Sequence, residues 1–164
     1  MRQKLTWLLL SSALIVVTAL QAGKLWATPA QGFAATTLAV GRFAEMEEGH
    51  KSSIPPVWQK PKGWSDLYVQ SNVWQPGGST GWHTHPGESL IIVTEGTVTG
   101  YEGDDPDCKP HLYTHGMGFV DPGGGHVHIL RNEAQIVAKT IAVQFIPAAA
   151  ARRIDVADPG NCHF

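Results

Sequence analysis

With 164 residues the chain is long enough for one domain with a buried core and too short for two of ordinary size. Setting aside the first 27 residues, nine Lys and Arg face fourteen Asp and Glu, a net charge of −5. Arg152-Arg153 is the one basic cluster left, which argues against nucleic acid or anionic lipid as a partner.

At the amino terminus Arg2 and Lys4 precede an apolar run over residues 5–20, and small and polar residues follow. That order is the order of a secretory signal, with cleavage after Ala22, Ala27 or Ala30. The run is shorter than the roughly 20 apolar residues that span a bilayer, so membrane contact is expected only if the segment stays uncleaved. The mature protein is then periplasmic or secreted. Residues 1–27 are read as the signal, 28–63 as an N-terminal arm and 64–164 as the main domain.

Within the arm, residues 36–43 read as an edge strand or a packed arm. Ile54-Pro55-Pro56-Val57-Trp58 is extended, because proline breaks helix and restricts the residue before it. Short β-type runs follow at 66–75, 89–94 and 97–101, with Gly96 dividing the last two. An acidic, proline-containing loop over 103–110 leads to further runs at 111–113, 118–121, 127–131 and 135–146. Residues 148–153 read as a short helical turn. Many short strands between glycine-rich turns predict an antiparallel sandwich or small barrel. The fold class is all-β.

Cys108 lies in the acidic turn Asp104-Asp105-Pro106-Asp107-Cys108, and Cys162 is third from the end. Two cysteines in an oxidising compartment predict one disulfide that ties the tail to a loop. Cys-x-x-Cys spacing is absent, which argues against a thiol redox site or a zinc knuckle.

The strongest functional signal is the run Gly77-Gly78-Ser79-Thr80-Gly81-Trp82-His83-Thr84-His85-Pro86-Gly87. Along a strand, His83 and His85 project from the same face and aim two imidazoles at one point. The segment His126-Val127-His128 offers a third from a neighbouring strand. Three neutral imidazoles suit a divalent transition metal, and by ligand type Fe, Mn, Zn, Ni and Cu are not distinguished. His111 and His115 read as surface or rim residues, and His50 and His163 carry no assigned role. Trp74 and Trp82 read as packing around the motif, with Trp82 also able to reach a pocket mouth. Tyr101 and Phe119 read as core.

These residues resemble the two motifs of the cupin superfamily, whose members are small double-sheet jelly rolls. Gly77, His83, His85 and Gly96 fit the first motif, Gly-x5-His-x-His-x3-4-Glu-x6-Gly. The position expected for its glutamate holds Ser89, with Glu88 one residue early and therefore on the opposite strand face unless Pro86-Gly87 forms a bulge. Gly125, His128 and Asn132 fit the second half of the second motif, Gly-x5-Pro-x-Gly-x2-His-x3-Asn, whose first half slips by one at Pro122. The resemblance implies a cupin double-stranded β-helix over residues 64–164, preceded by the arm and ending in a short tail.

It also implies a metal held by His83, His85 and His128, with Glu88 and His126 as candidate additional ligands. With Ser89 in the glutamate position the set is similar to the three-histidine centres of thiol dioxygenase-type cupins. Two functions stay open at this point. One is a metal-dependent, oxygenase-like enzyme acting on a small molecule. The other is a non-catalytic periplasmic cupin that binds or senses a ligand or metal. A homodimer is also left open.

Overall fold

The structure, a computed structural model, describes residues 27–44 and 63–164. The expected signal but for Ala27, the stretch Ile54-Pro55-Pro56-Val57-Trp58, and His50 lie outside the described residues.

The architecture is all-β and antiparallel, in two facing layers. In the first layer β2 (Ser65–Ser79) pairs on one side with β1 (Gln31–Phe43) and on the other with β9 (Ala138–Pro147). Next to β9 comes β4 (Ser89–Glu95), and β7 (Gly118–Asp121) pairs with β4. The second layer runs β6 (His111–Thr114), β5 (Thr97–Glu102), β8 (His128–Arg131), β3 (His83–Thr84) and β10 (Ile154–Asp155). The ladder pair Ser79↔Arg131 joins β2 to β8 and curls the layers into a jelly-roll barrel.

Side-chain alternation along the strands decides what fills and what covers this barrel. Trp74, Val98, Leu130 and Ala138 form the inner core, with Phe33 and Phe119 packed against it. A second cluster, Trp82, Tyr101, Ile129 and Cys162, lies on the outer face of the second layer. Trp82 and Ile129 each adjoin a histidine in sequence, so the parity that buries them outside turns His83 and His128 inside. The C-terminal tail seals the outer cluster. Its Cys162 is disulfide-bonded to Cys108, with Cα atoms 5.3 Å apart, and the Phe164 ring meets Tyr101 at 4.9 Å.

Three expectations change. The strand in the arm starts at Gln31 and lies along β2 nearly end to end, so this part of 28–63 is built into the sheet. Residues 148–153 hold a single turn, closed by Ala150 N–H on the Pro147 carbonyl at 3.1 Å with Ala149 at a φ of 63°, and no helical turn, because the first two amides are taken by distant partners. Ala148 N–H donates to the Trp64 carbonyl at 2.9 Å and Ala149 N–H to Asp66 Oδ2 at 2.9 Å. The segment crosses the barrel as a strap and enters β10, a strand too short to leave a periodic signature. Last, β8 begins at His128, since Gly123, Gly124 and Gly125 all adopt positive φ and put His126 in the preceding turn. Among the described residues no helix is long and apolar enough to cross a membrane.

The disulfide closes a loop across 54 positions, and restricting the unfolded chain in this way is worth about 2–5 kcal/mol. The Cys108→Ser/Cys162→Ser double variant, or the reduced protein, is therefore expected to unfold at markedly lower urea concentration. Identical midpoints for oxidised and reduced protein would contradict a structural role for the bond.

Candidate metal centre

His83, His85 and His128 reach one point from two separate pieces of backbone, β3 with its exit and β8. His83 on β3 is paired directly with His128 on β8, and their ring centroids lie 4.3 Å apart. His85, just past β3, closes the triangle at 4.8 Å from His83 and 5.7 Å from His128. One ligating atom from each of the three lies within 4.8 Å of the other two.

Backbone carbonyls orient two of these rings. His83 Nδ1–H donates to the Gly81 carbonyl at 2.9 Å, and His85 Nδ1–H donates to the Arg152 carbonyl at 2.5 Å. A carbonyl only accepts, so the proton sits on Nδ1 and the lone pair is left on Nε2, the form that binds metal. Gly81 can present its carbonyl this way because it holds a φ of 68° and because any Cβ would strike the Thr28 and Pro29 backbone. The Arg152 carbonyl belongs to the strap and also accepts from Gln144 Nε2 at 3.1 Å. Neither carbonyl is suggested by the His-x-His pattern.

Asp121, the last residue of β7, was not singled out in the sequence. It is 5% exposed, and its Oδ2 lies 3.4 Å from His85 Nε2. Register explains the approach, because Asp121 is the ladder partner of Ser89, the residue at the motif's glutamate position. An acid at a strand end before Pro122-Gly123 is the one sequence signal that could have pointed to it. Ser89 lines the cavity and Glu88 does not. The Glu88 carbonyl accepts the Phe145 amide at 2.9 Å. His126 is not in the three-histidine group, and its Nε2 lies 2.6 Å from Glu102 Oε2.

The cavity beside the histidines has a volume of about 80 Å³. Across from them it carries neutral polar side chains, Gln70, Asn72, Thr140 and Gln144, next to Ile91 and Ala142. Gln70 Nε2, Trp74 Nε1 and Gln144 Oε1 are buried there without hydrogen-bond partners. Arg153 adds a charge at the edge, its Nε on Asp155 Oδ1 and its Nη2 on the Thr80 carbonyl. Trp82 does not reach the cavity, since it faces the tail on the opposite side of β3. His111 and His115 are exposed.

Comparison with known proteins agrees with this architecture. The cupin domain family matches residues 72–144, a span that contains all three histidines. That match, together with the jelly-roll architecture, supports the resemblance to the cupin superfamily. Among solved structures it is similar to the polyketide cyclase RemF from Streptomyces resistomycificus, at 18% identity and a TM-score of 0.53, over 81% of this chain and 79% of that one. It is also similar to an uncharacterised protein with a double-stranded β-helix domain from Klebsiella pneumoniae, at 19% identity and a TM-score of 0.46, over 55% of this chain and 74% of that one. An oxalate oxidase matches at 19% identity and a TM-score of 0.42, over 50% of this chain and 46% of that one. At these identities the likeness is one of fold. No curated protein matches the sequence.

Burial keeps the three imidazoles uncharged. It pushes His83 far below the usual histidine range, with the neighbouring His128 and Arg153 adding to the effect. It lowers His85 as well, against the opposing pull of the Arg152 carbonyl and Asp121. His128 is pushed down to about 4 by burial, although the Asp121 carboxylate works the other way. In the unfolded chain these side chains take up protons near pH 6.5. Below that pH the unfolded state binds more protons than the folded one. Stability of the metal-free protein should therefore be complete above about pH 6.5 and fall toward pH 4, by about 1 kcal/mol per pH unit for each histidine. Urea unfolding at pH 7, 6 and 5 should show this slope, and His128→Asn should reduce it. Equal stability at pH 7 and pH 5 would contradict the account.

Proposed function

We propose that the protein is an exported single-domain cupin that holds a divalent transition metal on His83, His85 and His128 and acts on a small organic molecule, as a dioxygenase or related metal-dependent enzyme. The observation that carries this reading is the pair of Nδ1–H bonds to the Gly81 and Arg152 carbonyls, which leave Nε2 of His83 and His85 unprotonated beside His128. Three neutral nitrogen donors suit Fe, Mn, Zn, Ni or Cu. Ligands about 2.0–2.1 Å from an ion stand about 3–3.5 Å apart, so binding draws the three rings slightly inward. Export is supported by the charged and apolar order of residues 1–20 and by the disulfide, which suits an oxidising compartment.

A metal held there supplies Lewis-acid polarisation or dioxygen chemistry at its open positions. The side chains do the rest of the work. Gln70 Nε2 and Trp74 Nε1 offer donors, and Gln144 Oε1 an acceptor, to a polar substrate entering the cavity. Ile91 and Ala142 exclude water from one wall, and the volume of about 80 Å³ restricts the substrate to a few non-hydrogen atoms. Asp121, beside His85, is placed to balance positive charge at the centre.

The test is oxygen consumption by metal-loaded protein over small thiols, phenols and dicarbonyls. Replacing His83, His85 or His128 by alanine should empty the three-histidine centre, lowering metal uptake by one equivalent, and reduce turnover by more than about 100-fold, since losing even an outer partner of a ligand costs about 10–100-fold. Glu88→Gln should leave both unchanged. Thermal stabilisation by a small molecule without turnover would instead favour a non-catalytic binding or sensing role, which the same fold serves equally well. Full metal content in His83→Ala would sink both readings of the three-histidine cluster.

A further inference from the structure

A second set of ligating atoms converges on the outer side of Asp121, away from the main cavity. Asp121, His126 and His128 each offer one atom within 4.8 Å of the others. His126 Nδ1 and His128 Nδ1 lie 3.9 and 3.8 Å from Asp121 Oδ1. Both nitrogens are buried without a hydrogen-bond partner by distance and angle, and the Asp121 and His128 side chains are only 4% and 7% exposed. Burying such groups unpaired is costly, and sites that do so are commonly built for a ligand.

The surroundings orient the same three groups. Glu102 Oε2 lies 2.6 Å from His126 Nε2 and positions the ring with its Nδ1 edge toward Asp121. Gly123 N–H donates to Asp121 Oδ1 at 3.0 Å and fixes the carboxylate. The rings of His126 and His128 stack nearly parallel, 19° between planes and 5.7 Å between centroids. A small cavity of about 20 Å³ opens beside them, and His126 is partly exposed, which gives an ion a way in. His126 Nδ1, His128 Nδ1 and Asp121 Oδ1 thus face one point. A cation there satisfies all three.

We infer that Asp121, His126 and His128 form a second site for a divalent transition metal, with Glu102 as the residue that positions His126. The inference extends the proposed metal chemistry but does not require the three-histidine cluster to be occupied. His128 is common to both sites. Were both filled through opposite ring nitrogens of His128, the ring would bridge them as an imidazolate and release its remaining proton to solvent. The two ions also repel each other, so the second equivalent binds more weakly than the first.

The experiment is a calorimetric Zn²⁺ titration of the untagged, chelator-stripped full chain. Wild type should take up two equivalents. His126→Ala should abolish one of them, and Glu102→Gln should weaken that same one by about 10–100-fold. His83→Ala should keep one equivalent that His126→Ala then removes. Glu102 is partly exposed, so its glutamine variant carries the test if His126→Ala fails to fold by circular dichroism. One equivalent that is lost in His83→Ala and untouched by His126→Ala and Glu102→Gln would overturn the second site and leave the first standing. One equivalent with the opposite dependence would uphold the second site and remove the three-histidine reading. Two equivalents indifferent to both outer variants, or no binding at all, would overturn this inference.

Discussion

The pairing of His83 with His128 across β3 and β8 is the contact on which the site depends. It puts two imidazoles side by side, tilted by 55°, in a barrel interior, where a charged ring is disfavoured and a neutral one needs its N–H matched. The chain meets that need with carbonyls that belong to no side-chain motif. Gly81 supplies one from two residues upstream of His83, and Arg152 supplies another to His85 from the far end of the chain. The result is that the rings of His83 and His85 are oriented before any ligand arrives, a preorganisation that suits a metal site.

Fold and site are linked through the opposite face of the same strands. Trp82 and Ile129, the neighbours of His83 and His128, are buried under the C-terminal tail with Tyr101 and Cys162. Burying side chains of this size stabilises by about 1.5–3 kcal/mol each. That gain holds β3 and β8 in the rotation that turns their histidines inward. The tail also continues the strap that crosses the barrel, and Val156 N–H donates to the Trp82 carbonyl at 3.0 Å, next to the first histidine. The Cys108–Cys162 bond thus fastens a segment that supports the site from behind.

Much of this was legible in the sequence, for definite reasons. Period-two patterning and glycine-rich turns betray strands, and His83 and His85 two residues apart on an extended segment must share a face. Strand parity was enough to send Ser89 into the cavity and Glu88 away from it. Other features depend on contacts between distant segments. Asp121 reaches the histidines because β7 pairs with β4, and nothing local in residues 118–121 encodes that partnership. The strap over residues 148–153 looked helical by composition, yet Asp66 and the Trp64 carbonyl capture its first two amides from more than 80 positions away. The three consecutive glycines before His126 hid a turn that moved this residue out of β8 and toward Glu102.

The central claim is that His83, His85 and His128 present unprotonated nitrogens to one ion. X-ray absorption at the metal edge, on protein loaded with one equivalent of Mn²⁺ or Fe²⁺, measures this most directly. The account predicts three imidazole ligands about 2.0–2.2 Å from the metal, falling to two in His83→Ala. A coordination shell of water and carboxylate oxygens with no imidazole scattering, or one unchanged in His83→Ala, would contradict it.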